Sequence, residues 1–283
     1  MTAKVHRPSP CLLSDGENPL DGTNLRSILA LLGAPLVVGL LTVLGAARPV
    51  SADEPPAAPP VSAFAPAADL VAQFDALLAD TQASLESADD YFAKETRVRR
   101  NAHTLTVLAL ALALHDSPHR LSTAAPALIA ASQALAATKD HPTAVEACAA
   151  LAAVAEQPGS NDGPAPEWAR AASLSQLMKQ VTFVHNLLRR NLRGERFASR
   201  ADENAQHAAL LAVIAQAALV DTHEVKDPAQ VGEWYAFSGE MRDAAGALNA
   251  AIHAADAEAA ADASKRLERS CTACHQVFRP SLP

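Results

Sequence analysis

From Ala67 onward, apolar residues recur three and four positions apart over most of the chain, a period that predicts amphipathic helices and not strands. Eight helices follow from it. They run from Ala67 to Tyr91, Glu95 to His115, Thr123 to Thr138 and Pro142 to Ala155, then from Glu167 to Arg193, Ala201 to Val220, Pro228 to Ala254 and Ala257 to Val277. Asp227 before Pro228 predicts a helix start with a capping carboxylate and a proline in the first turn, and Asp140-His141-Pro142 echoes it more weakly. Short connections between long helices predict antiparallel neighbours, hence an all-α fold of two tandem antiparallel four-helix bundles. Composition agrees: the chain is rich in alanine, has only 4% aromatic residues and carries eleven glycines.

A different pattern occupies the N-terminus. Residues 28–47 form a twenty-residue apolar run preceded by Arg26, Lys4 and Arg7, long enough to span a bilayer. Val50-Ser51-Ala52 offers small residues at a cleavage position, so residues 1–52 read either as a signal peptide or as a retained anchor. Both readings place residue 53 onward outside the cytoplasm, on the periplasmic side of the inner membrane. Residues 53–66 are rich in proline and alanine and predict a semi-rigid spacer. A second break, from Glu156 to Pro166, divides the rest into a first bundle over 67–158 and a second over 165–283.

The chemistry is concentrated near the C-terminus. Cys271, Cys274 and His275 form Cys-x-x-Cys-His, the pattern of covalently attached haem c, in which both thiols bond the macrocycle and the histidine ligates iron. On a helix, offsets of three and four bring all three side chains to one face. Four cysteines and ten histidines in 283 residues would generate this pattern by accident at roughly 0.002 occurrences per chain. A redox dithiol or half of a zinc site would share the Cys-x-x-Cys, but there is no second Cys-x-x-Cys, and His115-x-x-x-His119 contains a proline. Cys148 lies alone in an alanine-rich helix and reads as a small core residue, and Cys11 precedes the apolar run. One haem c, held by Cys271 and Cys274, is the cofactor the motif predicts.

The halves resemble each other. Asn101-Ala102 and Asn204-Ala205 each open a long apolar run, Phe92 pairs with Phe197, Leu135 with Leu248 and Leu151 with Leu267. Carrying the register forward sets Ala155, Pro158 and Gly159 opposite Cys271, Cys274 and His275, so the first bundle is expected to be a degenerate, haemless copy.

A helical bundle with Cys-x-x-Cys-His near its C-terminus resembles the class II c-type cytochromes, the cytochrome c′ family. The resemblance is carried by Met241-Arg-Asp-Ala-Ala-Gly-Ala-Leu-Asn-Ala-Ala, Asp256, and Leu267 through Arg279. It covers residues 168–280, reaches 67–155 only through the internal repeat, and departs from a simple cytochrome c′ in the extra bundle and the apolar leader. It implies that the helix beginning near Trp168 covers the distal side of the haem. On that helix Leu174, Leu177, Met178, Val181, Val184, Leu188 and Leu192 form an apolar stripe, and Met178 is the candidate sixth ligand. Otherwise Met178 is a flexible core residue and the distal site is open. His185, seven residues on, shares its face and is an alternative ligand or a boundary residue. Arg279 matches a basic residue frequent in the family, where it would lie at the haem edge and stabilise propionates.

These features predict an exported monohaem cytochrome passing single electrons between periplasmic or membrane redox proteins, with no enzymatic activity of its own. The alternative is a five-coordinate haem protein binding nitric oxide or carbon monoxide as sensor or scavenger. A homodimer or larger complex is compatible with either. Arg189, Arg190, Arg193 and Arg196 stand out against a net charge of −8, as a docking patch or as cations at a helix end. No nucleic-acid motif accompanies them. Phosphate-binding glycine loops, Gly-x-Ser-x-Gly and His-Glu-x-x-His are absent from the sequence.

Overall fold

The computed structural model describes residues 54–157 and 166–279, and over these the chain is helical with no strand. The apolar run at 28–47, its cleavage site, Cys11, Pro158 and Gly159 lie outside the described residues. Among the described residues no helix is long and apolar enough to cross a membrane. Nine helices occur there: α1 (Ala67–Ala83), α2 (Ala88–Ala113), α3 (Ala125–Ala137), α4 (His141–Glu156), α5 (Leu174–Asn191), α6 (Arg196–Ser199), α7 (Ala201–Val220), α8 (Val231–His253) and α9 (Ala257–Phe278).

Two helices carry the core. Every residue from Thr104 to Leu112 on α2, and from His207 to Leu219 on α7, is buried. Those stretches are apolar on all sides in the sequence, and a helix of that kind must be surrounded. Around α2, helices α1 and α3 pack directly, α4 packs on α3, and α4 returns to α1. Around α7, helices α5 and α8 pack directly and α9 packs along α8, locked there by a two-pronged pair between Arg266 and Glu240 (2.6 and 2.9 Å). Between the halves, α1 packs on α7, α2 on α5, and α2 on α7. One apolar core runs through both halves, from Val61 to Leu267.

The helix ends follow local chemistry. Asp140 accepts from the Thr143 N–H at the start of α4, Asp227 from the Ala229 N–H in a 3-10 turn (Pro228–Gln230) leading into α8, and Asp256 from the Glu258 and Ala259 N–H groups of α9. Two predicted boundaries move. The helix expected over Ala67 to Tyr91 ends at Ala83, because Ser84 turns its hydroxyl onto the Asp80 carbonyl and Ser87 caps α2 by accepting from the Asp90 N–H. The helix expected from Glu167 starts only at Leu174. The Gln133 amide holds the Ala171 carbonyl, and the Ser173 N–H is spent on His103 and so makes no helical bond.

The segment predicted as a spacer is docked from Val61 on. Val61, Phe64 and Ala65 are buried, the Ser62 N–H donates to Asp116 at 2.9 Å, and His115 bonds the Ala65 carbonyl at 3.0 Å. Phe64 approaches α8 closely at Gly246, where a Cβ would meet its backbone at 3.1 Å.

A buried polar tie joins the halves. Asp69 of α1 accepts from Asn249 (2.6 Å) and His253 (2.8 Å) of α8, while Asn249 also donates to the Ala205 carbonyl of α7. Asp69→Ala should therefore destabilise the chain by about 2 kcal/mol, since it strands a buried amide. His253→Ala should cost clearly less, because that side chain is about half exposed, at 48%. Thermal unfolding of the two variants checks the order.

Candidate functional site at the α5–α9 seam

Helix α9 brings Cys271, Cys274 and His275 together as the spacing predicts, with Phe278 on the same face. Ala260, Ala263, Leu267 and Ser270 turn into the core. Cys271 packs at the edge of the main core, and Cys274 and Phe278 join a second apolar cluster of Leu174, Ala218 and Trp234 with Met178, Val225 and Tyr235. Trp234 is fixed by its indole N–H, which donates to the Ala218 carbonyl at 2.8 Å, and it meets Phe278 edge to face at 5.0 Å. Phe237 approaches Phe278 from the other side at 6.4 Å.

Both motif thiols are free and neither forms a disulfide. Burial raises Cys271, and burial with help from Cys271 and Glu233 pushes Cys274 up to about 11. His275 is lowered by partial desolvation and then by the nearby Arg279 guanidinium, so the neutral imidazole is favoured. Arg279 ends α9, its N–H bonded to the His275 carbonyl. The motif thus presents two protonated thiols and a neutral imidazole beside a cation.

The relation of α5 to α9 is set by contacts near both ends of their overlap. Leu174 and Met178 cluster with Cys274 and Phe278, while Glu268 lies close enough to His185 to oppose the lowering that burial imposes on it. The two helices are therefore antiparallel. The shared cluster places Met178 in the neighbourhood of Cys274 and Phe278, which flank His275 along α9. His185 lies seven residues further along α5, about 10 Å from Met178 along the axis. It sits half-buried with its Nε2 unpartnered.

α5 packs chiefly on α2 and α7, and α9 on α8, and α5 packs on α9 less extensively than α1 packs on α4. Side chains of α5 and α9 meet in the cluster of Leu174, Met178, Cys274 and Phe278. Among the described residues no three His, Cys, Asp or Glu side chains converge as a metal cluster, so the two thiols and the imidazole do not aim at one point. Two thiols and an imidazole on one helix face, beside an apolar cluster that includes a thioether, are the donor set that covalent haem attachment would use.

The arginines at the end of α5 and beyond, Arg189, Arg190, Arg193 and Arg196, are exposed. They lie at the end of α5 away from Met178. Sequence reasoning did not find the aromatic wall of Trp234, Tyr235 and Phe237, although the apolar spacing of α8 carries it, and it assigned nothing to His103.

No family model matches the chain, and neither a curated protein nor a solved structure matches it.

In the haem-free chain, Cys274 should react with iodoacetamide roughly 10- to 100-fold slower at pH 8 than an exposed thiol, the rate climbing as pH approaches 11. Peptide mapping of the alkylated residues across pH checks this. Rapid labelling at neutral pH would contradict the buried environment.

Proposed function

We propose that the chain is an exported monohaem c-type cytochrome, similar to the cytochrome c′ family, that passes single electrons between periplasmic or membrane redox partners. The observation that carries the reading is the presentation of Cys271, Cys274 and His275 on one face of α9, with Met178 in the apolar cluster that Cys274 and Phe278 join. In this reading α5, α7, α8 and α9 form the haem-bearing four-helix bundle, and α1 to α4 form its degenerate copy. The paired packing of α1 on α7 and α2 on α5 supports it, because two repeats facing one another about an internal two-fold make such exchanged contacts.

Haem c, when bound, supplies the reversible one-electron couple of iron. Cys271 and Cys274 would hold it covalently through thioether bonds, and His275 and Met178 would be the residues that ligate its iron. Trp234, Phe237, Phe278 and Leu174 exclude water from the seam, which favours the less charged reduced state. Arg279 places positive charge beside the proximal histidine and acts in the same direction. Such a protein tunes a potential and performs no bond chemistry on a substrate.

The ferrous, haem-loaded chain should give a low-spin spectrum unchanged by carbon monoxide, and Met178→Ala should turn it high-spin and carbon monoxide-binding. Visible spectra of both, with and without the gas, read this directly. A wild type that is high-spin and binds the gas at once would instead favour a nitric oxide or carbon monoxide sensor.

A further inference from the structure

We propose that the first half of the chain is the positioning element of the distal helix: His103 of α2 and Gln133 of α3 hold the segment from which α5 starts and so fix the position of Met178 beside the α9 motif. The proposal rests on the haem reading above and gives the haemless half a role in it.

The observations lie within seven residues of Met178 along the chain. Ser173 is the residue before α5; its carbonyl accepts from the Gln176 and Leu177 N–H groups, each at 3.0 Å, and so begins the helix. Its own N–H donates across the halves to His103 Nδ1 at 3.3 Å. Two residues earlier, the Ala171 carbonyl accepts from the Gln133 amide at 3.1 Å. Beyond Met178, the Arg100 guanidinium of α2 stacks on the Phe183 ring at 4.3 Å from its centre. Thus α5 is gripped from the first half on both sides of Met178. The bond to Ser173 requires an imidazole with Nδ1 free to accept, hence a neutral ring. Half-burial and then the neighbouring Arg99 both lower His103 and keep it so.

On the proximal side α9 is fixed by α8 through Arg266 and Glu240 and through the Trp234 wall. On the distal side α5 packs chiefly on α2 and α7 and less on α9, so its height is set mainly from those helices. A sixth ligand must be held to within about 0.5 Å to stay bonded, and side-chain ties at the helix start can supply that restraint. With α5 released from them, the thioether would lose its register while the fold, whose core is α2 and α7, remained.

The test uses the full chain matured with haem, as wild type and as His103→Ala, His103→Asn and Gln133→Ala. Gln133 is exposed, so its truncation leaves the core intact. Hydrogen exchange is followed over residues 171–181 and, for comparison, 263–278, and carbon monoxide association with the ferrous form is timed. His103→Ala and Gln133→Ala should each speed exchange over 171–181 about tenfold, leave 263–278 unchanged, and raise the carbon monoxide association rate about fivefold or more. His103→Asn, whose amide oxygen can still accept, should lie close to wild type. Unchanged exchange over 171–181 in both truncations would overturn the proposal. Faster exchange with unaltered gas binding would also overturn it, leaving a structural tie alone. Failure of the wild type to retain haem would instead overturn the haem reading, whatever the exchange data say.

Discussion

The arrangement of this molecule depends on how α9 divides its surface. A helix can bury one face against its neighbours, and α9 spends that face on Ala260, Ala263, Leu267 and Ser270 against the core. Cys271, Cys274 and Phe278 continue that stripe toward the C-terminal end of the helix, where Cys271 packs at the edge of the main core and Cys274 and Phe278 join the cluster with Leu174, Ala218 and Trp234. The motif and this apolar cluster share one region of α9, which is the region the proposed haem would occupy.

The rest of the fold serves to keep the seam framed. The fully buried stretches of α2 and α7 give a common core from which α5 and α8 are both held, and α9 is carried by α8. The tie of Asp69 to Asn249 and His253, and the insertion of Phe64 beside Gly246, join the first half to the second at several points. In the first half Ala155 holds the position that the sequence register sets opposite Cys271, and this half lies against α5 and α7, two helices that do not carry the thiols.

Much of this was legible in the sequence because it is periodic. The all-helical class, the bounds of α7 and α9, and the caps at Asp140, Asp227 and Asp256 follow from apolar spacing and local capping chemistry. The motif face on α9 follows from offsets of three and four. What periodicity could not give was set by contacts distant in the chain. The start of α5 was displaced by His103 and Gln133, more than thirty residues upstream, and the proline-rich segment was docked by Asp116 and His115. The meeting of Met178 with Cys274 and Phe278 in one cluster depends on the register between two helices joined through two others, which no spacing along the chain encodes. The Ser87 boundary was readable in principle, since Ser87 and Asp90 have the spacing of a capping box, but a continuous apolar stripe through Leu85 masked it.

The measurement that bears most directly on the central claim is whether haem stays on the chain after denaturation. Residues 53–283 expressed with haem-attachment machinery, unfolded in guanidinium and extracted with acidified organic solvent, should keep one haem per chain by absorbance and intact mass. Replacing Cys271 and Cys274 together by alanine should remove it completely. A wild type that releases its haem under these conditions, or a double variant that keeps it, would contradict the assignment of α9 as the haem-bearing helix.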